Sequence, residues 1–179
     1  KGPISVRRFE IDECDPIQKA FYSACIKYGF DRCPDHNNPE TSGVGPIPLN
    51  LCGRTRVSSM IGYLNPVRSR DNIDIMPDAL VRKILFESRK AIGLEVEHDD
   101  TVFEIEGKEI ILSAGAIATP QILMLSGIGP KSHLRNYEIK TIVDSPNVGQ
   151  NLQDHPTLLT VHKTKPSYTL NSSKPLLQM

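Results

Sequence analysis

The sequence predicts an α/β fold, and three observations carry that expectation. Between Leu80 and Ile105 lie three short runs in which apolar and polar residues alternate, joined by tight polar turns. Ile110-Ile111-Leu112 then forms a continuous apolar run, the pattern of a strand covered on both faces. Helical spacing of apolar residues appears on either side, at Ile17 to Tyr28 and at Ile122 to Leu125.

In chain order, Asp15-Pro16 offers an N-cap with proline at the first helical position. Ile17, Ala20, Phe21, Ala24, Cys25 and Tyr28 repeat at helical spacing, and Gly29 stops the helix. Asp31 to Leu51 reads as a long polar loop, rich in proline and glycine, of a length that usually serves a function. A short helix is expected over Thr55 to Tyr63, ended by Asn65-Pro66. Ile73 and Ile75 give a brief alternation. Leu80, Ile84 and Phe86 should share one strand face; Ser88-Arg89-Lys90 turns into Ile92, Leu94 and Val96; Asp99-Asp100 turns into Thr101, Phe103 and Ile105. This is an antiparallel meander. Beyond the apolar run, Thr119-Pro120 should cap a helix that Gly127 closes, and Pro130 should start another. Ile139 to Val143 and Leu158 to His162 read as strands.

Composition narrows the function. Lys plus Arg and Asp plus Glu are 21 each, and there is no Trp. With no net field and no basic patch carrying aromatics, nucleic acid is not an expected partner. No apolar stretch is long enough to span a bilayer as a helix. Cys14, Cys25, Cys33 and Cys52 form no Cys-x-x-Cys pair, and no histidine stands at zinc-finger spacing from them. They read as scattered buried thiols, with one disulfide as the other option. His98, Asp99 and Asp100, like Asp35 and His36, read as solvated turns rather than metal ligands. Asn171-Ser172-Ser173 fits a glycosylation acceptor.

Ser113-Ala114-Gly115-Ala116 is the point of chemical interest, because a buried strand ending in small residues lets another group approach its backbone. Ligands of open α/β sheets sit at such strand ends. Small residues that simply let the next helix pack would satisfy the same pattern.

A longer motif bears on that choice. Gly115-Ala116-Ile117-Ala118-Thr119-Pro120-Gln121-Ile122-Leu123-Met124-Leu125-Ser126-Gly127-Ile128-Gly129 resembles, position for position, the second signature of the glucose–methanol–choline (GMC) oxidoreductases. Val148 to Pro156 is similar to the loop that follows it, and Gly53-Arg54 to Tyr63-Leu64 and Asn72 to Glu95 to the stretches before it. The likeness covers nearly the whole chain and is greatest to choline-dehydrogenase-like members. It implies part of an FAD/NAD(P)-binding, Rossmann-like domain with a three-stranded β-meander, plus part of an α+β substrate domain with an antiparallel sheet. The implied division is a substrate-domain or lid segment at 1–65, an FAD-binding segment at 66–154 and a return towards the substrate domain at 155–179.

The resemblance also implies site residues. Val81 takes the position whose main chain meets the adenine of FAD. Ala114 and Gly115 take the close-approach turn beside the dinucleotide, with Thr119 and Pro120 opening the helix behind it. Asp154 and His155 are expected to hold a loop rather than to catalyse. The family's G-x-G-x-x-G fingerprint and its active-site histidine have no counterpart here: Gly127-Ile128-Gly129 lacks the third glycine, and Ser132 stands in its place. The implied activity is oxidation of a small-molecule alcohol to a carbonyl by hydride transfer to FAD, with oxygen or another compound accepting the electrons. The chain alone, an internal fragment on this reading, is expected to be inactive. The alternatives are a flavin-containing hydroxynitrile lyase of the same family and a non-catalytic, degenerate family domain.

Overall fold

The computed structural model describes residues 2–161 and 163. His162, the end of the strand expected from Leu158, and the Asn171 acceptor lie outside them; Leu158 to Val161 carry no strand. The described residues divide into two compact units, 2–74 with 159–161 and 163, and 75–158.

In the first unit, helix α1 spans Pro16–Lys27. Pro16 fills the first turn without wasting an N–H, and the Asp15 N–H donates to Gln18 Oε1 at 2.9 Å. Its apolar stripe is only partly covered: Phe21 and Tyr28 are exposed. The loop expected over 31–51 forms as far as Asn50, tied by single bridges of Arg32 to Val44 and Arg7 to Leu49, and Leu51 already begins a strand. Strands β1 (Leu51–Cys52) and β2 (Thr55–Arg56) form a minimal hairpin around Gly53. The helix expected from Thr55 therefore starts later, as a π-helical turn over Met60–Leu64 that Asn65 ends.

The second unit is built on the meander β3 (Leu80–Glu87), β4 (Lys90–His98) and β5 (Thr101–Glu106), in the order β3-β4-β5. Asp99 and Asp100 both have positive φ, the turn whose twist matches a two-residue hairpin. Val96 and Ile84 are buried at its centre. The register contains two irregularities. Val81 pairs with Val96 and Lys83 with Glu95, so Arg82 is an extra residue on β3. Leu85 pairs with Gly93 and Phe86 with Ala91, so Ile92 is an extra residue on β4. The first bulge explains why Leu80 does not share the face of Ile84: it lies on the other side and is exposed.

Helix α2 spans Gly115–Leu125, so it begins before Thr119-Pro120 rather than after it, with Ala114 as N-cap. Strand β6 (Ile128–Gly129), helix α3 (Lys131–Asn136) and strand β7 (Val143–Asp144) make a small parallel crossover. Only the end of the strand expected over Ile139 to Val143 is thus formed. Leu134 is fully buried under this unit. Gly127 has φ +86°, and a Cβ there would meet Lys140 O at 2.5 Å; no other residue type fits both demands.

Ile110-Ile111-Leu112 is the main correction. It forms no strand, and Ile111 is 79% exposed. A parallel strand needs hydrogen-bonding neighbours on each side, and among the described residues none lies alongside it.

Candidate functional site

The direction of each main-chain group in the meander follows from its register. Two-residue turns join Glu87 to Lys90 and His98 to Thr101 as hydrogen-bonded pairs. Counting back from His98, the main chains of Val96 and Leu94 face β5, and those of Glu97, Glu95 and Gly93 face β3. The 2.9 Å bond from the Gly107 N–H to Ile92 O obeys the same alternation. On β3, Leu85 and Lys83 face β4, and Ile84 faces away. Its N–H accordingly donates to Ser126 Oγ at 2.8 Å. Without the bulge, Val81 would face β4 as Lys83 does. With Arg82 inserted, it is opposed to Val96, whose own main chain belongs to β5. The Val81 N–H and C=O therefore point off the open edge of the sheet, while its side chain is half-buried.

Ala114 and Gly115 are exposed at the start of α2. Gly115 has φ +83°, and a Cβ there would meet nothing within 4 Å, so conformation, not crowding, selects glycine. No side chain caps this end, which leaves the first N–H groups of the helix free for an approaching acceptor. Thr119 and Pro120 lie inside α2 and cap nothing.

The other end of α2 is anchored. Ser126 is buried, donates from Oγ to Ile122 O at 2.6 Å and accepts the Ile84 N–H. One hydroxyl thus satisfies the helix end and the edge of β3 together. Sequence reasoning missed this role, although a serine among apolar helix residues is a visible signal. Val81, Ala114 and Gly115 lie in one compact unit, and each presents unspent main-chain groups. No hydrogen bond among the described residues links Val81 to the other two.

Asp154 and His155 are exposed, and their bond is local: the His155 N–H donates to Asp154 Oδ1 at 2.7 Å. In the same loop, positive φ falls on Gly149 and Asn151. Among the described residues, no three His, Cys, Asp or Glu side chains are placed to hold a metal. All four thiols are free: Cys33 is buried, Cys14 and Cys25 half-buried and Cys52 exposed. Burial pushes the Cys14 thiol pKa up.

The long loop of the first unit has its own polar framework. His36 Nε2 donates to Gly45 O at 3.1 Å, a carbonyl that can only accept; Nδ1 lies 3.5 Å from Cys33 Sγ, whose thiol donates to Thr41 Oγ1 at 3.6 Å. The Thr41 hydroxyl donates to Asp35 O at 2.8 Å. Asp35 accepts from Arg8 Nε at 2.7 Å and from the Asn37 N–H at 3.0 Å. These bonds, Arg8 first, hold its carboxyl below the usual aspartate range.

A family profile described as GMC oxidoreductase matches residues 1–157. The chain belongs to the GMC oxidoreductase family. It is 35% identical over 178 residues, 99% of the chain, to an oxygen-dependent choline dehydrogenase of Staphylococcus saprophyticus, of which it covers 31%. It spans about a third of the length of the curated relatives it matches first. Among solved structures it is similar to pyridoxine 4-oxidase from Mesorbium loti, with a TM-score of 0.77 and 33% identity, over 82% of this chain and 29% of that one. It is likewise similar to an FAD-dependent oxidoreductase from Chaetomium thermophilum, with a TM-score of 0.73 and 34% identity, over 86% of this chain and 27% of that one. The GMC membership and the Rossmann-like fold class expected from the signature are therefore established, and FAD is the cofactor of the family.

Proposed function

We propose that this chain forms one wall of the FAD site of a GMC enzyme that oxidises a small-molecule alcohol to a carbonyl. The observation that carries the reading is the Val81 main chain. It offers one N–H donor and one C=O acceptor on an open sheet edge, the complement of the ring-nitrogen acceptor and 6-amino donor of adenine. A contact made by backbone also accounts for an ordinary aliphatic residue at the position. Ala114 and Gly115 approach the dinucleotide at the uncapped start of α2, where free N–H groups and the helix dipole favour an anionic group.

On this reading residues 66–154 belong to the FAD-binding domain, and 1–65 and 155–179 to the substrate domain. Bound FAD supplies the hydride acceptor, and oxygen or another compound reoxidises it. The residues present here bind and orient; the pyrophosphate loop and the base that takes the hydroxyl proton are contributed by further chain on either side. Two measurements test the proposal. Anaerobic alcohol should bleach the oxidised flavin of the full-length protein, whereas flavin that stays oxidised with every alcohol, while a cyanohydrin is cleaved, would make it a lyase. Purified 1–179 with added FAD should show no turnover, and robust turnover would contradict the assignment of the missing groups.

A further inference from the structure

We propose that Arg82, Lys83 and Glu95 form a clamp that holds the β3 bulge and so positions the Val81 main chain to read adenine. The inference rests on the assignment of Val81 to adenine and deepens it. Parity carries the argument: a strand running without interruption from Lys83 would direct the Val81 N–H and C=O into β4, where they would be consumed by the ladder. The one inserted residue turns them outward. A bulge places two residues opposite one and leaves the ladder locally broken, so something must keep the register from slipping back.

The side chains around the insertion are arranged to do that. Glu95 is the residue opposed by two. Its Oε2 lies 2.9 Å from Lys83 Nζ and its Oε1 3.5 Å from Arg82 Nε, so one carboxylate grips both bulge residues. Arg82 also reaches Glu97 Oε2 at 3.2 Å, on the far side of the insertion. The Glu95 side chain is only 20% exposed, against 47% and 44% for its two partners. Two residues further along, the Ile84 N–H is bonded to Ser126, which fixes the phase of the strand on the other flank. Register is therefore pinned at the bulge by charge and just beyond it, at Ile84, by a buried hydroxyl.

Arg82 and Glu95 are positioning residues on this account, since neither touches adenine. The test uses the full-length FAD-loaded protein, stripped and titrated with FAD and with flavin hypoxanthine dinucleotide, whose purine carries a carbonyl oxygen in place of the 6-amino donor. The wild type should bind the analogue at least about tenfold more weakly, since its 6-oxo form turns an acceptor to the Val81 C=O and carries a proton at N1 in place of a lone pair. Deleting Arg82 leaves Val81 opposed to Val96 in a regular ladder with its main chain still outward, so the deletion should retain the wild-type ratio of the two affinities. Glu95→Ala, which frees the bulge to slip with Arg82 still present, should bring the ratio close to one, and it removes only partly exposed ion pairs, so it folds. Arg82→Lys, which keeps a cation at the bulge, should retain the wild-type ratio. A Glu95→Ala variant that weakens both flavins equally and leaves the ratio unchanged would overturn the clamp and leave it a structural feature. A wild type that binds FAD but does not distinguish the analogue would remove the Val81 contact beneath it. A wild type that binds neither flavin would overturn the cofactor assignment itself.

Discussion

The meander Leu80–Glu106 and the apolar run Ile110-Ile111-Leu112 are close neighbours in sequence and opposite in outcome. Both show clear strand patterns, yet three strands form in the first and none in the second. An antiparallel hairpin brings its hydrogen-bonding partner within a turn's length, so short local sequence contains everything it needs. A strand meant for a parallel sheet draws its partners from distant chain, and its pattern describes an environment that the neighbouring residues do not supply. On the proposed reading, the difference separates what these residues build by themselves from what they prepare for other residues to complete.

Four substitutions can break or sharpen that contrast. Val96 is 2% exposed at the meander centre, and Val96→Ala should cost about 2 kcal/mol in chemical unfolding through lost apolar burial. A loss under about 0.5 kcal/mol would mean that the meander is not a packed unit. Ser126→Ala removes the hydroxyl that satisfies the buried Ile84 N–H and should cost about 1–2 kcal/mol; unchanged stability would show that α2 does not depend on this anchor. A smaller effect is expected in the 31–51 loop. Asp35 has a lowered folded pKa, so its contribution is present above the unfolded value of about 4 and is lost as pH falls through the folded value. Asp35→Asn should therefore leave a thermal midpoint that is less sensitive to acid below about pH 4 than the wild type's, and identical acid profiles would count against the Arg8 pairing. Smallest of all, Ile111→Ala should shift the stability of the isolated chain by less than about 0.5 kcal/mol, because the residue has 79% exposure. A large loss would place the run in a packed interior after all.

The legible parts of the fold were those whose causes are local. The Asp15-Pro16 start of α1, the three meander strands, their turns at Ser88 and Asp99-Asp100, and the stop at Gly127 all rest on nearby residues. Three features escaped because their causes are not local. The start of α2 lies at Gly115, whose positive φ turns the chain into the helix four residues ahead of the capping pattern of Thr119-Pro120. The bulge at Arg82 has no signature in alternation, and it is what makes Leu80 and Ile84 part company. The anchor at Ser126 joins residues 42 apart in sequence. The candidate site was legible only through the GMC signature. Periodicity and spacing alone admitted small residues for packing at Ala114 and Gly115 and gave Val81 no role, whereas the register shows why its main chain is available.

The most direct test of the Val81 assignment compares two substitutions there in the full-length protein. Val81→Ala keeps both main-chain groups, and Val81→Pro removes only the N–H, at an edge position where the sheet tolerates proline. Equilibrium titration with FAD should give the alanine variant a wild-type affinity and the proline variant one about tenfold weaker. Equal affinities for the two variants would contradict the claim that this edge of β3 reads the cofactor through its backbone.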